Sequence, residues 1–357
     1  MTDGDLPPNT APFFPNIFYQ NQFRAQPVYP PKDTDLRGRT AIITGANSGI
    51  GLECCRQLLS YKLSTLILAV RSPTKGDAAA AQLRQKYPGA EISVWELDMS
   101  SYLSIQAFVQ RVDTHLPRVD FVVLNAGVMK AFAIVPSTGH EEMFQVNYLS
   151  QALLTLLLLP VLKAKKPPTG LPARLTWVNG ALSLFAKFPN RHSVPLLPSF
   201  DNEEIFADGE WYNTSKLLAH FFAWKIAEFV SADDVIVSVT DPGYVRGTEL
   251  ASEKKEEMMN MRGAFVLKRF MSLFEKMART LEDGTSTIVD TVVNKGKEAH
   301  GCYVMGWRIA PFATMLYGPE GEEIRERLWQ ETVDEFKFAN VEEILSIMKA
   351  SKDSKAA

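Results

Sequence analysis

The sequence predicts an α/β protein, a single domain on a parallel, doubly wound sheet of about seven strands with helices on both faces. Three observations carry this. Short β-branched runs alternate with helical-period segments from Arg39 onward. A glycine-rich turn follows the first run and opens an apolar helix. The 357 residues suffice for one large core but are short for two.

The strands read, in order, TAIIT, TLILAV, ISVWEL, FVVLNA, LTWVN and VIVSVT. Runs with so little polar alternation fit strands covered on both faces, as parallel sheets require. A helix from about Glu282 to Asn294 and a short strand near Cys302–Met305 follow. Residues 1–36 hold many prolines and aromatics without periodicity, and read as an extended arm on the domain or as partly disordered. The main domain runs over 37–335, and 336–357 reads as a charged tail.

Two stretches interrupt the alternation. Residues 184–208 separate a strand from its helix. Residues 249–281 follow the last core strand and carry five of the twelve methionines, at 258, 259, 261, 271 and 277, with Phe265, Phe270 and Phe274. They suit a lid over an apolar pocket, because methionine adapts to irregular shapes; a helical pair packing on the domain fits equally.

A formal net charge of -3 offers no basic footprint for nucleic acid. Interleaved Lys254, Lys255, Lys268, Arg269 and Lys276 leave membrane-surface contact as the weaker alternative for this stretch. Cys54, Cys55 and Cys302 lack metal-ligand spacing, the five histidines form no cluster in sequence, and no metal is expected. The N-terminus lacks the basic start and apolar stretch of a secretory signal. The run Ala152–Leu162 is too short to span a bilayer and holds a proline, so it reads as a buried helix. These features predict a soluble, cytoplasmic protein with free thiols.

The turn after the first strand is Thr44-Gly45-Ala46-Asn47-Ser48-Gly49-Ile50-Gly51. Its glycines let backbone approach a pyrophosphate at a helix N-terminus. The second strand ends Ala69-Val70-Arg71-Ser72, without the carboxylate that usually binds ribose hydroxyls, and offers Arg71 with Lys75 one turn on. A guanidinium there forks onto a 2′-phosphate; a solvated basic loop would look the same. Leu97-Asp98-Met99 and Asn125-Ala126-Gly127 close the third and fourth strands. Asp98 also suits a cap for the helix starting near Ser101. Tyr212-Asn213-Thr214-Ser215-Lys216 puts a phenol and an ammonium on one helix face.

Taken in order, these motifs resemble the short-chain dehydrogenase/reductase superfamily, whose Rossmann fold the resemblance extends over about residues 37–335. Within it the chain looks closest to the retinol dehydrogenase and protochlorophyllide reductase-like branch, and more narrowly to reductases of fungal natural-product pathways. Supporting stretches are Val70-Arg71-Ser72, Gln145-Val146-Asn147-Tyr148-Leu149, Ala186-Lys187-Phe188, Glu298-Ala299-His300-Gly301 and Glu326-Arg327-Leu328-Trp329.

The resemblance implies NADP(H) as cofactor, held by Gly45, Asn47, Ser48, Gly49, Ile50 and Gly51 at the phosphates. Arg71, helped by Ser48 and Lys75, would take the 2′-phosphate; Asp98 would meet the adenine; Asn125, Ala126 and Gly127 would border the cofactor. Tyr212 would give its proton to a carbonyl oxygen, and Lys216 would lower the tyrosine pKa and hold the ribose. Asn147 would anchor a relay water. Asp241-Pro242-Gly243-Tyr244-Val245 resembles the motif beside the nicotinamide, so Pro242, Gly243 and Val245 join the cofactor set. Thr248 would bind the carboxamide, although the family's threonine falls at Gly247.

The family's catalytic serine aligns without a gap on Gly180. Ser183 is the expected replacement, with Asn179, a water or the substrate itself as alternatives. The implied activity is NADPH-dependent reduction of a bulky apolar ketone of natural-product type. The alternative is a dehydratase, epimerase or cyclase using Tyr212 and Lys216 with NADP as a structural cofactor. Helices around Leu153–Leu162 and Ser215–Phe229 would form the family's usual dimer face, allowing a homodimer unless the C-terminal segment blocks it.

Overall fold

In a computed structural model describing residues 6–166, 170–248, 250 and 277–356, the apolar runs become strands β1 (Thr40–Thr44), β2 (Thr65–Val70), β3 (Glu91–Glu96), β4 (Phe121–Leu124), β5 (Ala173–Val178), β6 (Val235–Asp241), β7 (Cys302–Met305) and β8 (Arg308–Ala310). They form one sheet in the order β3-β2-β1-β4-β5-β6-β7-β8. All pairings are parallel except β7 with β8, where Tyr303 faces Ala310. The eighth strand exceeds the expected count of about seven. Its hairpin turns on Gly306 and Trp307, both with positive φ. Such a two-residue turn normally announces itself with Asn-Gly or Gly-Gly, and tryptophan in the second place hid it.

Neighbouring residues of each strand feed opposite layers. Ile42 and Ile67 belong to one core; Ala41, Ile43, Leu66 and Leu68 belong to the other. Helices α1 (Gly49–Ser60), α2 (Pro73–Lys86) and, further along, Leu281–Val293 cover the second layer. On the first lie α3 (Tyr102–His115), α4 (Glu142–Ala164) and α5 (Asp208–Phe229). Helix α4 is the expected apolar run. It is long and apolar enough to cross a membrane by composition, yet 89% of its most apolar window is buried in the protein. Because β1 sits between β2 and β4, the winding reverses there and leaves a crevice at the strands' carboxyl ends.

The two chain ends are more ordered than their composition suggested. After α6 (Leu281–Val293), the chain adds α7 (Gly318–Glu335) and α8 (Val341–Ala356). The expected tail is therefore mostly helix. Val341, Leu345 and Met348 recur at helical spacing and are buried against α4 and α5. Trp329 stacks on Phe229 at 5.1 Å, and Lys225 pairs with Glu326 at 2.7 Å. The chain's own C-terminal helices thus cover α4 and α5, where a homodimer face had been expected. Met348→Ala should cost about 2–5 kcal/mol of stability, read as a lower urea midpoint with unchanged cofactor affinity.

The N-terminal arm does lie on the domain, as two short helical turns at Phe13–Ile17 and Gln20–Arg24. Tyr29 Oη donates to Asp283 Oδ1 at 2.8 Å, and Thr314 Oγ1 donates to the Asn9 carbonyl at 3.1 Å. The methionine- and phenylalanine-rich part of the expected lid, 249–276, lies outside the described residues apart from Leu250.

Candidate active site

The phosphate turn is pinned to the end of β4 by side chain–backbone hydrogen bonds. Thr44 Oγ1 accepts from the backbone N–H groups of Asn125 and Ala126, each at 2.9 Å. Asn125 Nδ2 donates to the carbonyls of Thr44 at 2.9 Å and Gly45 at 3.3 Å. Two glycines are obligatory. Gly45 has φ +63, and a Cβ on Gly51 would fall 2.4 Å from the Gly45 carbonyl oxygen. Asn47, Ser48 and Ile50 complete the turn, with Ser48 at the N-cap of α1 and Gly49 its first residue. Thr248 lies over this helix start, its Cα 3.8 Å from where a Gly49 Cβ would stand.

Arg71 leaves the end of β2 exposed, Lys75 is exposed in the first turn of α2, and neither makes an ion pair among the described residues. Both guanidinium and ammonium are therefore available at the crevice edge. Asp98 does not cap α3, contrary to one expectation. Ser101 does, accepting from Ser104 N–H at 3.2 Å, while Asp98 Oδ1 accepts from the N–H and hydroxyl of Ser100 at 2.9 and 2.7 Å. The glycine turn, the helix N-terminus behind it and the exposed basic pair suit a dinucleotide with an additional phosphate.

The expected catalytic side chains converge at the ends of β4 and β5. A π-type turn at Gln145–Leu149 within α4 presents Asn147, a distortion that often marks functional positions. Its Oδ1 accepts from Val128 N–H at 2.9 Å, and its Nδ2 donates to the Val128 carbonyl at 2.9 Å and Ser215 Oγ at 3.1 Å. Lys216 Nζ donates to the Val178 carbonyl at 3.0 Å, and a Cβ on Gly127 would meet Asn147 Oδ1 at 3.2 Å and Lys216 Nζ at 3.5 Å. Burial pulls the lysine pKa down to about 8.

Tyr212 lies at the same place, with the ammonium of Lys216 5.8 Å from its ring centre. The expectation that the lysine lowers the tyrosine pKa is not met. Burial of the phenol, then the negative field of Asp241, pushes it above its ordinary value.

Ser183, the expected replacement, turns to another partner. It is fully buried in the short helical turn Ala181–Phe185. Its hydroxyl sits 3.1 Å from Nε2 of His220, whose Nδ1 accepts from Ala313 N–H at 3.3 Å. Burial holds His220 neutral, with a pKa near 3, so Nε2 carries the proton and Ser183 accepts it. The position facing the tyrosine is Gly180. A Cβ there would lie 3.8 Å from Tyr212 Oη and meet nothing else within 4 Å among the described residues. Asn179 is buried, and its amide atoms have no hydrogen-bond partner among the described residues.

Sequence reasoning missed the groups that hold the loop after β6. Asp241 is fully buried; its Oδ1 accepts from Ala181 N–H at 3.1 Å and Gly243 N–H at 3.0 Å, tying this loop to the one after β5. Burial raises its pKa, opposed chiefly by Arg279. Arg279 donates to the Pro242 carbonyl at 2.9 Å and lies 4.5 Å from the Trp307 ring centre. Gly243, at φ +79, would place a Cβ 2.5 Å from Arg279 Nη1, and Val245 is buried against Gly284. An aspartate just before Pro-Gly was the one visible signal; Arg279 lies near the end of the 249–281 insertion and had none.

This is the build of a nucleotide-binding α/β oxidoreductase. The profile of the short chain dehydrogenase family matches residues 39–170. The chain is 56% identical over 353 residues to the short chain dehydrogenase/reductase mfmJ of Annulohypoxylon moriforme, covering 98% of this chain and 100% of that one. It is 42% identical over 338 residues to the short chain dehydrogenase virL of Hypocrea virens, covering 94% and 95%. The fold is similar to that of L-sorbose reductase from Gluconobacter frateurii, solved with NADPH and L-sorbose, with a TM-score of 0.58 and 18% identity over 76% of this chain and 96% of that one. The chain belongs to the short-chain dehydrogenase/reductase family, and its relatives named here are fungal.

Proposed function

We propose that this protein reduces a carbonyl group on a bulky, apolar compound with NADPH. The observation that carries the reading is the convergence of Tyr212, Lys216 and Asn147 at the strand ends, next to a glycine turn built for phosphate. NADPH, when bound, supplies the hydride. Tyr212 holds the proton for the carbonyl oxygen. Lys216, whose Nζ donates to the Val178 carbonyl, would serve the ribose hydroxyls and the phenol together. Asn147 braces Ser215, between the two on α5, against the Val128 backbone and so fixes their height. Arg71 and Lys75 would hold the 2′-phosphate, and Thr248 would stand beside the pyrophosphate or carboxamide.

The coenzyme choice is directly measurable. With a basic pair and no carboxylate at the end of β2, NADPH should bind at least ~10-fold tighter than NADH, from one charge-assisted contact of ~1.5–3 kcal/mol. Arg71→Asp should reverse the order. Equal affinities by calorimetry would remove the assignment. The reaction itself is tested by incubating the protein with NADPH and apolar ketones: one alcohol should form per NADPH consumed, and product without NADPH loss would mean another chemistry.

A further inference from the structure

The arm reaches into the active-site loops at one buried carboxylate. Asn21 Nδ2 donates to Asp241 Oδ2 at 2.8 Å, while Oδ1 of the same carboxylate accepts from Ala181 N–H, the residue after Gly180. Arg279 donates to both the backbone and side-chain oxygens of Asn21. Next to it, Gln22 Nε2 donates to the carbonyls of Tyr244 and Met277 at 3.0 and 2.9 Å, and its Oε1 accepts from Tyr244 N–H at 3.0 Å. Residues 220–258 positions apart are thus locked into one frame around the position that Tyr212 faces.

That frame sets out aromatic rings. Phe13 is buried and contacts Phe185 at 5.8 Å between ring centres; Phe14 lies 4.7 Å from Phe13 and 6.3 Å from Phe185. Yet Phe14 and Phe185 remain 49% and 48% exposed, with Leu182 beside them in sequence at 39%. Phe185 ends the turn that starts after Gly180, so at the ~2 Å rise of such a turn it stands within about 10 Å of the reacting position. Single exposed apolar side chains are ordinary, but rings from two distant segments meeting at the end of the turn that follows Gly180 make a shared apolar face.

We propose that the N-terminal arm is part of the substrate site: Phe14 and Phe185 form an aromatic wall that takes the apolar body of the substrate, held in place by the Asn21–Asp241 contact. The occupant is a small molecule with a flat apolar or aromatic ring system beside its carbonyl. This rests on the reductase reading for the carbonyl, but the wall is testable without turnover.

The test compares 2-acetylnaphthalene with 2-butanone, two methyl ketones that differ in their apolar body. Equilibrium dialysis of 2-acetylnaphthalene against the NADPH-loaded protein reads binding; initial rates read reduction. In Phe14→Ala/Phe185→Ala, 2-acetylnaphthalene should bind at least ten-fold more weakly, with KM raised alike. Values for 2-butanone, NADPH affinity and melting temperature should stay the same. Both rings are exposed, so the variant should fold; an altered melt is checked with Phe14→Leu/Phe185→Leu, which should retain part of the affinity. No binding by the intact protein, or equal binding by both proteins, overturns the wall. Selective binding without any NADPH consumption leaves the wall standing and overturns the reductase reading instead.

Discussion

Tyr212→Phe should reduce turnover by about 10²–10⁴-fold while NADPH still binds with its original affinity. The substitution keeps a ring of the same size in a nearly closed position and removes the proton donor that, among the described residues, stands opposite Gly180. The structure gives this prediction a sharper form. Burial and Asp241 hold the phenol protonated throughout the neutral range, so Tyr212 is poised as an acid, suited to reduction, rather than as a base. Alcohol oxidation by the same protein should need higher pH than carbonyl reduction. Pre-steady-state measurements with NADPH in excess would read the hydride step directly. Near-normal turnover by the phenylalanine variant would exclude Tyr212 as the acid.

Gly180→Ser should raise activity toward simple ketones by about 10-fold or more, since one well-placed hydrogen-bond donor to a reacting oxygen is commonly worth ~10²–10³ in rate. The site can receive it. Gly180 has φ -158 and ψ 141, an extended backbone that any residue adopts, and among the described residues the added Cβ would meet only Tyr212 Oη at 3.8 Å. The paired variant, Ser183→Ala, should leave kcat unchanged and cost about 1–3 kcal/mol of stability, because it strands the buried Nε2–H of His220. Two outcomes would count against this account: a large loss of kcat in Ser183→Ala, or no gain on any ketone with Gly180→Ser. If the new serine produced no NADPH consumption at all, acid-base chemistry without net redox would become the better reading.

The sequence by itself determined the fold class and the glycine turn at the head of the crevice. Alternating apolar runs and helices leave a parallel, doubly wound sheet as the way to bury both kinds of element. Gly45 and Gly51 carry local steric information, because a tight turn and a close backbone approach admit no side chain. Tyr212 and Lys216 were legible because a four-residue spacing on a helix fixes two side chains on one face.

What only the tertiary structure decided depends on partners far away in the chain. Ser183 was an acceptable candidate until His220, thirty-seven positions on, was seen to take its hydroxyl. The Lys216 effect on Tyr212 turned on burial and on Asp241, neither of which spacing can express. The C-terminal segment carries enough charge to read as a tail, yet three apolar residues at helical spacing close it over α4 and α5. The arm is the extreme case. Nothing in the pattern around Asn21 and Gln22 points to Asp241 and Tyr244, because a hydrogen bond between irregular segments has no periodicity and is set only when the sheet brings both to its carboxyl edge.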